Sequence, residues 1–116
     1  MAKILVVDDD STFCIMLKTF LIRKGFEVKE AFSYDEAVRL IKVNDFDVLL
    51  SDFRLPEHTG MDLLSEAKRR STDTIVILMT GYADIRIAVS AIKKGAYEYV
   101  TKPINPDEIL LTISNA

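Results

Sequence analysis

The chain predicts an α/β fold, a doubly wound (βα)5 domain around a central five-stranded parallel sheet. Three observations lead there. Five short β-rich apolar runs each give way to a helical pattern, the alternation that builds a parallel sheet with helices on both faces. Apolar residues make up 49% of 116 residues, which is enough for one core and little more than one domain. Four of the five runs also end in a residue able to do chemistry: Asp8 and Asp9, Asp52, Thr80 and Lys102.

The first run, Lys3–Val7, stops at Asp8, Asp9, Asp10 and Ser11, whose side chains can accept the free N–H groups of a helical first turn. Phe13, Leu17, Phe20 and Leu21 follow at helical spacing, and Gly25 ends the helix. The second run, Glu27–Ala31, alternates charged and apolar residues as an outer strand does. Ser33 and Glu36 fit a capping box ahead of a helix carrying Ala37, Val38 and Ile41 on one side. The third run, Asp47–Ser51, ends at Asp52, and a long loop runs through Pro56 to Gly60. The next helix turns Leu63, Leu64 and Ala67 inward and closes on Lys68, Arg69 and Arg70, cations suited to the negative end of the helix dipole.

The fourth run, Thr74–Met79, is continuously apolar, which predicts a strand covered on both faces, and it ends at Thr80 and Gly81. A helix over about 84–94 places Ile85, Ala88, Val89 and Ile92 mainly in the core, and Gly95 ends it. The fifth run, Glu98–Thr101, leads to Lys102 and Pro103. Asn105, Pro106, Asp107 and Glu108 then read as N-cap, first-position proline and acidic first turn of a last helix of about three turns.

Charge and composition exclude several classes. Lys+Arg 15 against Asp+Glu 18 gives a net charge of −3, without the basic stripe that nucleic-acid binding requires. No apolar run approaches the roughly 18 residues of a membrane span, and no basic segment precedes a cleavage site. The single cysteine, Cys14, cannot form an internal disulfide and reads as a small apolar residue of the first helix. These features describe an acidic, cytoplasmic domain with no direct nucleic-acid or membrane contact, so function has to come from a site.

In an open parallel sheet, sites form beyond the carboxyl ends of the strands where strand order reverses. Order 2-1-3-4-5 places the first and third strands together there, so Asp8, Asp9 and Asp52 converge while Thr80 and Lys102 approach from the fourth and fifth strands. Three nearby carboxylates raise one another's proton affinity, and keeping them ionised calls for a cation. An all-oxygen set suits Mg²⁺, with Mn²⁺ as an alternative. A carboxylate beside such an ion can attack phosphorus to give an acyl phosphate, with Lys102 supplying charge and the Thr80 hydroxyl a donor.

These pieces resemble the receiver domain of bacterial two-component response regulators. The matching segments are residues 4–10, Asp52 to Pro56 with Gly60 eight residues beyond Asp52, Met79 to Gly81, and Tyr99 to Pro103. Together they span essentially the whole chain, on the expected strand ends of a flavodoxin-like sheet. The resemblance implies that Asp52 is the phosphoacceptor, loaded from the phosphohistidine of a sensor histidine kinase. It implies that Asp9 and Asp52 are Mg²⁺ ligands, with Asp8 assisting and the backbone carbonyl of Arg54 completing the protein set. It casts Thr80 and Lys102 as phosphoryl binders, Thr80 and Tyr99 as a switch pair, and Lys102–Pro103 as a cis peptide. It further implies a conformational output through the fourth helix, fifth strand and fifth helix, with a homodimer forming on phosphorylation. Such a domain catalyses only its own phosphorylation and dephosphorylation.

Arg54, the stretch 80–84 and the stretch 93–97 resemble receivers of nitrogen-regulation-type transcriptional activators, which carry ATPase and DNA-binding domains downstream. On that likeness the last helix is expected to be truncated and residues 1–116 to be one module of a longer regulator. Arg54 and Tyr82, two residues beyond Asp52 and Thr80, are expected to flank the acyl phosphate. Other readings stay open. An aspartyl phosphatase-like enzyme places its nucleophile in an Asp-x-Asp motif after the first strand, and Asp8 and Asp10 have that spacing. A flavin or dinucleotide carrier shares the wound sheet, but it cradles phosphate in Gly- or Ser/Thr-rich loops where this chain has three acids. Asp10 reads as a helix cap, Tyr99 equally as core packing, His58 as a solvated loop residue, and Lys93 and Lys94 as helix-end cations.

Overall fold

The structure is a computed structural model that describes residues 2–81 and 84–116. Its sheet contains β1 (Lys3–Val7), β2 (Glu27–Ala31), β3 (Val48–Asp52), β4 (Ile75–Thr80) and β5 (Glu98–Thr101). All are parallel in the order β2-β1-β3-β4-β5, the topology expected from the alternation of runs and helices. The three inner strands are the uninterrupted apolar ones because both their faces are covered. All five residues of β3 are buried, as are five of six in β4, whereas the edge strands β2 and β5 keep polar residues at the surface.

Strand pleating separates the core into two halves. Leu5 and Val7 of β1 face α2 (Tyr34–Val43), α3 (Gly60–Arg70) and α4 (Ile85–Lys93), meeting Ala37, Leu63, Leu64 and Ala91. Ile4 and Val6 face α1 (Ser11–Arg23) and α5 (Pro106–Ser114), meeting Cys14, Leu17, Leu21, Ile109 and Ile113. Each fully buried Leu or Ile side chain contributes about 1.5–3 kcal/mol relative to exposure. This two-sided core makes the sheet a rigid platform for whatever its strand ends carry.

Helix starts follow the side chains available to satisfy free N–H groups. Asp10 accepts from the Phe13 N–H, Ser33 from Glu36, Asp84 from Arg86 and Asn105 from Asp107, with Pro106 opening α5. At α3 the cap is a reciprocal box between Thr59 and Asp62. The sequence conceals that box, because aspartate takes the place usually held by Glu or Gln. The segment expected as plain loop contains a small antiparallel pairing of 54–55 with 58–59, turned at Pro56 and Glu57, where Glu57 has φ 64°. Two-residue strands are too short to leave a periodic signal.

Two helix faces differ from expectation. α1 buries Cys14, Leu17 and Leu21, leaving Phe13 and Phe20 half-buried. In α4, Ile85, Val89 and Ile92 are 78%, 47% and 46% exposed, and among the described residues only Ala91 is buried. The i, i+4, i+7 spacing locates an apolar stripe without saying what it faces. Here the small Ala91 makes the close approach to the core, and the larger residues are left on the outer surface. No helix among the described residues is long and apolar enough to cross a membrane.

Candidate functional site at the strand carboxyl ends

Asp8 follows β1 directly, and its N–H donates to Ala31 O at 3.1 Å, extending the ladder with β2 by one rung. The register Val7↔Ser51 then sets Asp8 beside Asp52, the last residue of β3. Asp8 is wholly buried and uses both carboxylate oxygens: Oδ1 accepts the Asp10 N–H at 2.9 Å and Oδ2 accepts from Lys102 Nζ at 2.7 Å. Asp52 is also buried. Its Oδ1 receives a long contact of 3.5 Å from the Arg54 N–H, and its Oδ2 lies 3.6 Å from Lys102 Nζ. Asp9 is exposed, yet one carboxylate oxygen from each of Asp8, Asp9 and Asp52 lies within 4.8 Å of the other two.

Lys102 reaches this cluster from one residue past β5. Its N–H donates to Thr80 O at 2.6 Å, its peptide bond to Pro103 is cis, and its Nζ lies 4.7 Å from the centroid of the Phe13 ring. Thr80, at the end of β4, is 1% exposed. One ammonium therefore stands against two of the three clustered carboxylates, beyond the strand ends.

The electrostatics follow from that imbalance. Burial, then the charge of Asp8, raises the Asp52 carboxyl above the usual aspartate range, while Lys102 and the Arg54 N–H pull the other way. For Lys102 burial alone would favour the neutral amine. The hydrogen bond to Asp8 and the charges of Asp52 and Asp8 outweigh it and hold the ammonium above its ordinary value. The remaining negative charge, offered entirely by carboxylate oxygens, is the donor chemistry a hard divalent cation takes. Asp8, Asp9 and Asp52 fit that group.

The structure brings together Asp8, Asp9, Asp52 and Lys102 and sets Thr80 at the neighbouring strand end. Arg54 presents its N–H to Asp52 and leaves its side chain exposed. Tyr99 is half-buried on β5, its ring edge-on to Phe53 at 6.5 Å between centroids. Asp10 caps α1 and stands outside the carboxylate cluster, so the Asp8/Asp10 spacing assembles no second acid pair. His58 stacks on Tyr34 at 3.9 Å, with Nδ1 3.5 Å from Asp62, and its side chain is 39% exposed. Cys14 is buried, with burial pushing its thiol up to about 12. Tyr82 lies outside the described residues.

Two contributors carry no chemical signal in the sequence. Phe13 shows only the helical spacing of an apolar residue in α1. Gly60 shows only its spacing from Asp52, yet a Cβ there would sit 2.9 Å from Asp52 O and 3.0 Å from Phe53 Cα. The Gly60 N–H also donates to Phe53 O at 2.6 Å, so α3 begins against the main chain that carries Asp52.

A parallel 2-1-3-4-5 sheet with three carboxylates and a lysine at its carboxyl edge defines a doubly wound α/β domain with an acidic, all-oxygen site at its strand ends. The chain belongs to the response regulator receiver domain family, whose model matches residues 4–114. It is 40% identical over 114 residues to the regulatory protein AtoC of Escherichia coli, covering 98% of this chain and 25% of that one. The chain thus spans about a quarter of the length of that curated relative. Among solved structures, the beryllofluoride-activated NtrC4 receiver domain dimer superposes with a TM-score of 0.93 at 36% identity, covering 99% of this chain and 95% of that one. A response regulator from Burkholderia pseudomallei superposes with a TM-score of 0.91 at 34% identity, covering 97% of this chain and 66% of that one. That structure contains a phosphorylated aspartic acid, a calcium ion and citrate.

Proposed function

We propose that this domain is a phosphorylation switch in which Asp52 accepts a phosphoryl group from the phosphohistidine of a sensor histidine kinase. The observation carrying this reading is the buried Asp52 carboxylate, 3.6 Å from the Lys102 ammonium and grouped with Asp8 and Asp9. An Asp52 carboxylate oxygen attacks phosphorus. A new O–P bond forms as the P–N bond to the donor imidazole breaks, and the bonding pair leaves on the nitrogen, which takes up a proton from solvent. Lys102 offsets charge on the phosphoryl oxygens, and the Thr80 hydroxyl donates a hydrogen bond to one of them. Asp8, Asp9, Asp52 and the Arg54 carbonyl are the groups to hold Mg²⁺, which supplies further charge neutralisation when bound. The negative charge that the three acids place at the strand ends otherwise opposes an incoming phosphate.

The acyl phosphate shifts a conformational equilibrium by making contacts that differ between two states. Thr80 moves toward the phosphoryl group and Tyr99 turns inward behind it. The output surface is that of α4, β5 and α5, with dimerisation as the readout. The exposed Ile85, Val89 and Ile92 supply the apolar contact. The likeness to full-length regulators supports a transcriptional output through further ATPase and DNA-binding domains. The domain acts on its own aspartate and turns over no separate substrate.

The test is incubation with Mg²⁺ and acetyl phosphate, followed by intact-mass measurement. One phosphoryl group is expected on the wild-type chain and none on Asp52→Asn. Equal labelling of the two removes Asp52 from the mechanism, and labelling abolished by Asp8→Asn but retained in Asp52→Asn favours the phosphatase-like reading.

A further inference from the structure

The residues around Lys102 are of two kinds. Asp8 and Asp52 attract the ammonium by charge, at 2.7 and 3.6 Å. Phe13 meets it with a ring, 4.7 Å from Nζ to the centroid, inside the roughly 6 Å over which a cation is held by the negative face of an aromatic ring. The Phe13 main chain is anchored to the same acidic run. Its N–H donates to Asp10 Oδ1 at 3.1 Å, and the Asp10 N–H donates to Asp8 Oδ1 at 2.9 Å. One short chain of contacts, Asp8 to Asp10 to Phe13 to Lys102 and back to Asp8, closes on itself around the site.

We propose that Phe13 is the positioning residue of Lys102, its ring face holding the ammonium within reach of both Asp8 and Asp52. A carboxylate in this place would bind the ammonium directionally and compete with an incoming phosphoryl group. A ring face attracts the charge without a fixed hydrogen-bond direction, so Nζ can pass from Asp8 to a phosphoryl oxygen on Asp52 while staying on the ring. The ring also covers one side of an ammonium whose side chain is only 26% exposed, which keeps water from competing for its N–H donors. The third acid of the run gains a purpose as well: by capping α1, Asp10 sets the height of the Phe13 main chain beneath Lys102.

The kinetic part of this proposal rests on the phosphotransfer reading, and its geometric part does not. The geometric test is NMR of the full chain without donor. The Lys102 ε-methylene protons are expected upfield from ring-current shielding, to move downfield in Phe13→Leu, and to stay upfield in Phe13→Tyr. The kinetic test is the initial rate of Asp52 labelling by acetyl phosphate with Mg²⁺, on variants first shown by circular dichroism to melt as the wild type does. Phe13→Leu is expected to slow labelling about three- to ten-fold, from loss of a partly desolvated cation–π contact, with Phe13→Tyr restoring the rate. Lys102 resonances unmoved in Phe13→Leu, or Leu and Tyr variants labelled at the wild-type rate, overturn the proposal. A wild-type chain that shows the shielded methylene but takes no label refutes the phosphotransfer reading and leaves Phe13 as a structural clamp only.

Discussion

Replacing Gly60 by alanine tests whether the first turn of α3 sets the position of Asp52. The added Cβ would lie 2.9 Å from Asp52 O, 3.0 Å from Phe53 Cα and 3.0 Å from Leu78 Cδ2. Two of these neighbours are main-chain atoms of Asp52 and Phe53, and the third belongs to the fully buried Leu78. Restoring ordinary separations of about 3.5 Å requires a shift of roughly 0.5 Å between α3 and the end of β3. Overpacking of this kind costs about 1–3 kcal/mol. Alanine's smaller unfolded-state entropy returns about 0.4–1 kcal/mol, leaving a net loss of about 0–2.6 kcal/mol. Misplacement of a reacting group by about 1 Å can cost a hundred-fold in rate, so half of that is expected to slow labelling of Asp52 about ten-fold.

Gly25→Ala is the comparison. Gly25 has φ +96° with nothing within 4 Å of a built Cβ, so its cost is the left-handed strain of about 1–2 kcal/mol, incurred far from the site. Urea denaturation measures the two stabilities, and initial-rate labelling by acetyl phosphate measures the site. The expected pattern is two destabilised variants of which only Gly60→Ala is slow. Wild-type labelling of Gly60→Ala at reduced stability would show that Asp52 is placed independently of α3 and refute the reasoning.

Other outcomes follow from the same structure. Asp9 is exposed, so Asp9→Asn should alter metal-free stability by less than about 0.5 kcal/mol, yet it should remove most of the rise in melting temperature that saturating Mg²⁺ gives the wild type. Unchanged Mg²⁺ stabilisation in that variant excludes Asp9 as a ligand. Cys14 should resist iodoacetamide at pH 8 in the native protein and react promptly in denaturant. With its thiol raised from 9.0 to about 12 on folding, the native state keeps a proton that the unfolded chain releases. Its contribution to stability is therefore full below pH 9 and declines as pH climbs toward 12. Cys14→Ala should flatten that decline, and an identical alkaline slope in the variant rejects the assignment. Replacing Ile85 and Val89 by serine should leave stability within about 1 kcal/mol, since both are exposed, while weakening self-association of the phosphorylated protein in sedimentation velocity. Loss of folding instead would mean that α4 buries this face.

The order and type of the five strand–helix units are legible in the amino-acid sequence, because inner strands covered on both faces must be continuously apolar and helix starts must supply N-caps. So is the placement of Asp8, Asp9, Asp52, Thr80 and Lys102 at strand ends, since each follows or closes an apolar run. The sequence alone could not decide how an amphipathic stripe is turned. Ile85, Val89 and Ile92 have core spacing, but the small Ala91 makes the close approach and they remain outside. Nor could it see contacts between residues far apart in the chain. Lys102 lies 94 positions from Asp8, and its distances to Asp8, Asp52 and Phe13 exist only once β1, β3, β5 and α1 are packed together. Phe13 read as one more core aromatic, and Gly60 as a spacing mark. Tertiary structure gave both a place at the site, because non-local packing places a ring under an ammonium and leaves no room for a methyl group beside Asp52.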